Sequence, residues 1–254
     1  MEQGFTLIAL CIGLLLVSML YSSVGHGGAS GYLAILSLTT YSQMDSAWLK
    51  QHAWVLNLAV AGLAFYHYSK SGHHVFSKSL PFILASIPLA FIGGYLKVDG
   101  ALYDTLLSLT LLYAAIRLLL RDEKSSIEVS TPKPSQAYSF GAGIGFLSGI
   151  IGVGGGIFLS PILLLKKWAT PKSAAATAAL FIWVNSAAGL LGATASGQLV
   201  LERSTLLPFL LAVGIGGFLG SKYGSQYAKP KTVQNLLIAV LLMASMKRIA
   251  ELLV

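Results

Sequence analysis

Long apolar segments, separated by short polar stretches, follow one another along almost the whole chain. A helix needs about 20 apolar residues to cross the hydrocarbon of a bilayer, and three segments in each half come near that length. The runs are continuous, whereas the strands of a membrane barrel would alternate between apolar and polar residues. We therefore predict spanning helices over residues 47–68, 77–96, 102–120, 173–195, 205–221 and 233–250.

Each half opens instead with a pair of shorter apolar segments that flank a cluster of glycines. The pair covers 5–21 and 29–40 in the first half, and 137–150 and 157–165 in the second. As a helix, 29–40 would be about 18 Å long, too short for a hydrocarbon core of about 30 Å. We predict that each pair is a helical hairpin that enters the membrane, breaks at the glycines and leaves by the same side.

The two halves repeat one another at a nearly constant spacing. The string VGHGG at Val24–Gly28 matches VGGGI at Val153–Ile157 at an offset of 129, and Asn57 matches Asn185 at an offset of 128. A repeat of this length indicates two copies of one structural unit. We predict a first transmembrane repeat over 1–121, a polar linker over 122–136 and a second repeat over 137–254.

The composition is that of a membrane protein. The chain is 55% hydrophobic and only 10% charged, with a mean hydropathy of +0.74, whereas about 25% of the residues of a soluble domain are charged. The single cysteine, Cys11, excludes an intrachain disulfide and a cysteine metal site. Glu2 stands where a signal peptide would be positive, so we interpret the N-terminal stretch as the first helix. We expect neither a cofactor nor a metal.

The positive charges predict the orientation. The net charge of +8 would suggest a nucleic-acid partner in a soluble protein, but in a membrane protein it reflects the excess of Lys and Arg on the cytoplasmic side, and we expect no nucleic acid. Twelve of the 17 Lys and Arg residues are cytoplasmic if that side of the membrane holds residues 69–78, the linker with its edge, 166–172 and 222–232. The two halves are then inverted relative to each other in the cell (inner) membrane, and the linker is cytoplasmic.

The glycine clusters form the predicted substrate site. Glycine is unfavourable inside a helix, so a recurring cluster indicates a helix break. Broken helices at matching places of an inverted repeat are typical of transporter binding sites; the alternative is that the glycines only allow close helix packing. The predicted substrate-binding residues are Gly25, His26, Gly27, Gly28, Ser30, Asn57, Gly152, Gly154, Gly155, Gly156, Ser160 and Asn185.

The polar residues inside the apolar segments favour an anionic or neutral substrate, because none of the nine acidic residues falls within the predicted membrane interior. The Asn57 and Asn185 amides could donate hydrogen bonds to an oxyanion, or they could simply tie helices together. Lys50 could draw anions to an external mouth or lie at the interface as a snorkelling lysine. His52 lies one turn deeper, and we group it with Lys50 as an access or coupling residue.

All five histidines lie in the first half of the chain. His26 falls within the first glycine cluster, where a histidine beside an anion could carry a proton. His67, His73 and His74 are predicted in a cytoplasmic loop, where nothing supports a metal site.

Two of these motifs resemble a known family. VGHGG and GVGGGIFLSP, each near the start of a half, are similar to the motifs of the sulfite exporter TauE/SafE family, also called the toluene-sulfonate uptake permeases. The first motif departs from the pattern at His26, and Tyr32 stands where the second half has Pro161. The resemblance implies a transporter of sulfite, organosulfonates or related small sulfur-containing anions, with an exporter favoured and proton-coupled import as the alternative. The partners are then the anion and the lipid bilayer, and homo-oligomer formation is left open.

An enzyme is the competing class. GGASG at Gly27–Gly31 contains the G-x-S-G string of rhomboid intramembrane proteases, with Ser30 as the nucleophile. Such a serine needs a histidine base, and the second half of the chain has none. The sequence has no phosphate-binding G-x-x-x-x-G-K-[ST] string, which argues against an ATP-driven pump. We therefore expect a transporter without enzymatic activity.

Overall fold

The computed structural model describes residues 2–36, 39–96 and 129–236, together with positions 238, 239 and 242. Within these ranges the protein is all-α and contains no strand. The α-helices are α1 (Glu2–Ser22), α2 (Ala29–Leu36), α3 (Ser46–Lys70), α4 (Phe76–Tyr95), α5 (Pro134–Ile151), α6 (Gly156–Leu165), α7 (Pro171–Ala195) and α8 (Arg203–Lys222). A 3₁₀ helix covers Thr40–Gln43, and a π-helical turn at Tyr223–Tyr227 follows α8 directly.

Most predicted segments match these helices to within three residues. The segment 102–120 and most of 233–250 lie outside the described residues. The segment 29–40 was predicted too long, because α2 ends at Leu36 and the Thr39 side chain then accepts a hydrogen bond from the Tyr41 N–H to start the 3₁₀ helix. The linker was predicted to end at Gln136, but α5 begins at Pro134, since proline suits the first turn of a helix.

Three of the described helices are long and apolar enough to cross a membrane: Phe76–Tyr95, Pro171–Ala195 and the run Arg203–Tyr227. Shorter apolar helices lie at Leu7–Ser22 and Gly156–Leu165. Helix α3 is as long as α7 but more polar, and its polar side chains Gln51, His52, Asn57 and His67 are buried. The structure therefore has the composition of a helical membrane protein whose most polar helix is enclosed.

Helices from the two halves of the sequence interlock. Helix α4 packs along α5 and α7, while α8 packs along α1 and α3, and α3 packs against α7 in the middle. Small residues bring these helices into close contact, because Gly141, Gly145 and Gly149 of α5 lie against the α4 backbone. In the same way Gly216 and Gly220 of α8 lie against the α1 backbone. These glycines, which lie outside the two predicted clusters, therefore serve close helix packing.

The short helices lie against the central pair. Helix α2 packs on α1 and α3, and α6 packs on α7, so the turn that precedes each short helix faces the contact between α3 and α7. This arrangement places both glycine clusters in the centre of the helix bundle.

Candidate functional site

The first glycine break joins α1 to α2. Helix α1 ends at Ser22, and Gly25 and Gly28 then adopt the left-handed conformation with φ of 78° and 99°. A side chain at Gly25 would also collide with the Ala175 backbone of α7. Glycine is therefore required here both by conformation and by the close approach of another helix.

The second glycine break joins α5 to α6 and contains three left-handed glycines. Gly152, Gly154 and Gly155 have φ of 88°, 72° and 80°. Gly152 ends α5 as its C-cap, and Gly155 precedes α6 without any side-chain cap hydrogen bond. Gly156 begins α6 and lies so close to Ile182 of α7 that a side chain would clash. The run of glycines is thus the sharp turn between two helices.

The two breaks lie against each other. His26 Nε2 of the first break is 2.9 Å from the Ser160 hydroxyl on α6. Asn57 of α3 lies between the breaks, because side-chain atoms built at Gly27 and at Gly154 would both meet its amide. The structure therefore brings together residues of the predicted site that are more than 100 positions apart in the sequence.

Asn57 is fully committed to hydrogen bonds within the protein. Its Oδ1 accepts from the Ala29 N–H at 3.1 Å, at the start of α2, and its Nδ2 donates to the Ser186 hydroxyl at 3.4 Å. The side chain is completely buried. Of the two roles considered for Asn57, this geometry matches the tying together of helices. The Asn57 side chain caps α2 and joins that helix to α3 and α7. Its contact with a substrate stays a prediction.

Asn185, the counterpart of Asn57 on α7, is buried, but its amide forms no hydrogen bond with any described residue. Neither its Nδ2 nor its Oδ1 has a hydrogen-bond partner among the described residues. A buried polar group without a partner costs about 1–3 kcal/mol, so such groups usually have a functional explanation. Of the two asparagines, Asn185 is therefore the one whose amide N–H groups could bind a ligand.

The remaining residues of the first break also bond to one another. Ser30 donates to the Tyr21 hydroxyl at 3.1 Å, and the Tyr32 hydroxyl donates to the Gly27 carbonyl at 2.6 Å. A small cavity lined by Tyr21, His26 and Ser30 has room for about one water molecule. Because Ser30 bonds to a tyrosine, it lacks the histidine contact that the protease alternative requires; the histidine here contacts Ser160.

The two predicted access residues have different surroundings. The Lys50 side chain lies beside Gly152, and its Nζ is 5.3 Å from the centre of the Trp54 ring. His52 points elsewhere: its Nε2 accepts from the Glu202 N–H at 3.2 Å, so its Nδ1 carries the proton and donates to the Trp48 carbonyl at 2.7 Å. Lys50 thus lies at the second break, whereas His52 holds the start of α8.

The prediction that His67 lies in a loop is wrong. His67 is buried in the last turn of α3, where its Nδ1 is 2.7 Å from the Ser221 hydroxyl of α8. His73 and His74 do lie in the loop between α3 and α4, and burial lowers the pKa of His74. No group of three or more His, Cys, Asp or Glu side chains that could hold a metal occurs in the described part of the chain.

Two residues at the second break were not predicted from the sequence. Trp54 Nε1 and the Ser148 hydroxyl are both buried, and within the described ranges neither has a hydrogen-bond partner. Trp54 follows Lys50 by one helical turn, and Ser148 precedes Gly152 by one turn. Such spacing is a weak signal, because tryptophan and serine within apolar helices usually belong to the packing or bond to their own backbone.

These features define a helical membrane protein with two broken helices that meet at its centre. A family model described as "Sulfite exporter TauE/SafE" matches residues 10–248, and the chain belongs to this family. The protein is therefore a membrane transporter of the TauE/SafE family, as the resemblance of its glycine motifs predicted.

Relatives are found in both bacteria and archaea. The chain is 33% identical to the probable membrane transporter protein y4hK of Sinorhizobium fredii, covering 94% of this chain and 97% of that protein. It is 25% identical to the probable membrane transporter protein MJ0441 of Methanocaldococcus jannaschii, with 70% of each chain covered. It is 26% identical to the probable membrane transporter protein YunE of Bacillus subtilis, over 69% of this chain and 71% of that protein. No solved structure matches the chain.

Proposed function

We propose that the protein exports a small sulfur-containing oxyanion, such as sulfite or an organosulfonate, through a site where the two glycine breaks meet. The observation that carries this proposal is the contact of the breaks through His26 and Ser160, with the unpartnered Asn185 amide on the adjoining helix α7. The family supplies the substrate class, since its description names sulfite. The other residues of the predicted site take part as the backbone and side chains that line the two breaks.

The surroundings of the breaks favour an anion. Asp45 and Glu202, two of the described acidic residues, lie just before the starts of α3 and α8 rather than within these helices. The first N–H groups of a helix lack partners within the helix and carry partial positive charge, and α2 and α6 both begin at the breaks. An anion would therefore meet N–H donors and Lys50 there.

Contacts between the loops support the predicted orientation. Ser130 in the linker donates to the Lys167 carbonyl, and Lys172 Nζ donates to the Ser225 carbonyl at 3.0 Å. His73 Nε2 lies 3.0 Å from the same Ser225 carbonyl. All four regions that we assign to the cytoplasm therefore gather on one side of the protein. On the other side, Gln51 at the start of α3 bonds to Gln198 after α7.

The helix packing supports an inverted repeat. Exchanging each helix of the first half with its counterpart in the second turns the α4–α5 contact into the α8–α1 contact, and turns α4–α7 into α8–α3. Pairing of this kind is expected when a two-fold axis relates the halves, and the charge distribution indicates that this axis lies in the membrane plane.

Cysteine labelling tests the orientation. In a Cys11→Ala background, Gln43→Cys and Lys166→Cys place one thiol before α3 and one after α6, at counterpart loops of the two halves. A membrane-impermeant maleimide should label Gln43→Cys from outside intact cells and Lys166→Cys only after the membrane is opened. Labelling of both from the same side would contradict the inversion.

Export needs no coupling residue in this scheme. A membrane potential that is negative inside favours anion exit by about 2.3 kcal/mol per charge per 100 mV. The cavity at the breaks holds only about one water molecule, whereas sulfite has four heavy atoms. Transport therefore requires the breaks to separate, first toward one side of the membrane and then toward the other.

Proton-coupled import is the second candidate, and one observation favours it. His26 is buried, lines the water-sized cavity, and has no hydrogen-bond partner for its Nδ1 among the described residues. A ring nitrogen next to space for a water molecule is the place where this alternative would route a proton.

Reconstituted protein distinguishes these functions. Radiolabelled sulfite, thiosulfate and an organosulfonate are followed in proteoliposomes while the potential and the pH gradient are imposed separately. We expect movement that follows the potential. Movement that requires a pH gradient and is lost in His26→Ala would replace export by proton-coupled import. Protein that moves none of these sulfur anions would refute the substrate assignment.

A further inference from the structure

Four polar side chains surround the second glycine break. Trp54, Ser148 and Asn185 are completely buried, and in the described part of the structure the Trp54 and Ser148 donors and both amide atoms of Asn185 have no hydrogen-bond partner. Lys50 is the fourth, and it is half-buried beside Gly152. Six side-chain atoms in the described chain are buried without a partner, and four of them belong to this cluster.

Contacts and one-turn helical spacings link these residues into a group that we call the ring. Ser148 lies one turn before Gly152, which touches Lys50, and the Lys50 ammonium lies over the Trp54 ring. On the other side of the ring, Trp54 packs on Gly189 of α7, one turn after Asn185. Phe181, one turn before Asn185, lies at Gly155 together with Ser148. Helices α3, α5 and α7 therefore each contribute members of the ring near the second break.

The chemistry of the ring specifies its ligand. The tryptophan indole can only donate a hydrogen bond, and the lysine ammonium likewise only donates, whereas the hydroxyl and the amide can adapt. A ligand bound here must accept hydrogen bonds and should be negatively charged. The start of α6 adds N–H groups, because no side chain caps it at Gly155.

We infer that Trp54, Ser148 and Asn185, with Lys50 beside them, bind the transported oxyanion on the second-break side of the site. This inference rests on the proposed function and narrows it, because it assigns the substrate contacts to one break. The indole and the hydroxyl can each donate one hydrogen bond and the amide two, which is enough to reach all the oxygens of sulfite or of a sulfonate group. Asn57 and Ser160, which bond within the protein, then position the helices.

Trp54→Phe is the sharpest test. It removes the indole N–H but keeps an aromatic ring to pack on Gly189 and to lie under Lys50. Trp183→Phe on α7 is the matched control, since that tryptophan is 43% exposed. Binding to the purified full-length chain is measured by isothermal titration calorimetry with sulfite, thiosulfate, methanesulfonate, phosphate, nitrate and chloride. We expect the affinity for the bound sulfur anion to fall about tenfold in Trp54→Phe and to stay unchanged in Trp183→Phe.

Ser148→Ala provides an independent variant, because it removes a hydroxyl without changing the size of the side chain appreciably. It should also lower the affinity several-fold, with an unchanged melting temperature. If Trp54→Phe does not fold, the anion affinity of Ser148→Ala decides whether these residues bind the oxyanion.

The outcomes separate this inference from the proposed function. Wild-type binding of a sulfur anion that neither variant weakens would overturn the inference and leave the function standing. Binding of phosphate or nitrate alone, weakened in both variants, would support the ring and overturn the sulfur assignment. Failure to bind any anion of the panel would overturn both.

Discussion

The first and second glycine breaks occupy matching places in the sequence, yet their surroundings differ. At the first break, Asn57 caps α2 and the Tyr32 hydroxyl holds the Gly27 carbonyl. At the second, no side chain caps α6, and the counterpart asparagine, Asn185, has no partner among the described residues. The helix ends at the two breaks are thus satisfied differently. We infer that the first break is mainly scaffold and that the second offers the donors.

The largest effect is expected from a side chain at the centre of the second break. In Gly154→Ala the new methyl group would lie 2.6 Å from Ile182 Cγ2 and 3.1 Å from Asn57 Nδ2, in a left-handed conformation. That conformation alone costs a residue with a side chain about 1–2 kcal/mol, and the contacts add to it. We expect transport in proteoliposomes to fall more than tenfold, and Gly154→Leu and Gly156→Leu to abolish it while the protein stays in the membrane.

Gly72→Ala is the control for Gly154→Ala. Gly72 also has a positive φ, of 75°, but nothing lies within 4 Å of a side chain built there. It should lose some stability and keep its transport. Equal transport in wild type and in the Gly154 and Gly156 variants would show that these glycines are packing elements only.

The second prediction is that substitutions of the two asparagines have opposite effects on stability and on substrate affinity. Asn57→Ala leaves the buried Ala29 N–H without a partner, which costs about 1–3 kcal/mol. Its melting temperature should fall by about 2–4 °C for each kcal/mol. Asn185→Ala breaks no hydrogen bond within the described structure, so its melting temperature should hold while sulfite affinity falls about tenfold. Thermal melts and calorimetry on both variants check this, and the reverse pattern would invalidate the comparison.

The helices could be predicted because an apolar run of about 20 residues has few other structures open to it. The glycine breaks could be predicted for the same reason, since segments such as 157–165 are too short to span. The packing of α1 on α8 and of α4 on α5 could not, because nothing in one segment identifies a partner in the other half.

The partners of single residues were harder to predict than the helices. Asn57 and Asn185 hold matching positions in the two halves, so the sequence does not distinguish them. The hydrogen bonds of Asn57 with Ala29 and Ser186 do distinguish them. His67 looks like a loop residue because it is polar and near a segment end, but its partner, Ser221, lies on a distant helix. Trp54 has only a weak sequence signal, its spacing of one turn after Lys50, because a buried tryptophan ordinarily serves packing.

Removing the hydrogen bond between the two breaks should have a smaller effect, which is measured on the stability of the protein. Ser160→Ala removes the partner of His26 Nε2 inside the protein, and a buried hydrogen bond of this kind contributes about 0.5–1.5 kcal/mol. A double-mutant cycle with His26→Ala should give a coupling energy of at least 0.5 kcal/mol from thermal melts, because contacting residues couple. Additive effects of the two substitutions would mean that the breaks are not joined through this pair.

The smallest effect on transport is expected from Tyr32→Phe. The hydroxyl of this buried tyrosine donates to the Gly27 carbonyl at 2.6 Å, and the ring packs against Gly28, so the side chain holds the first break in place. Phenylalanine keeps the ring and removes one hydrogen bond, which should cost about 1 kcal/mol and lower the melting temperature by about 2–4 °C. Tyr138→Phe, at an exposed tyrosine of α5, is the control and should melt like the wild type. Because the first break is assigned a scaffold role, sulfite transport should stay within about twofold of wild type once the amounts of folded protein are equalised. A tenfold loss of transport at an unchanged melting temperature would instead place a substrate contact at the first break, and the difference between the two breaks would then be one of degree.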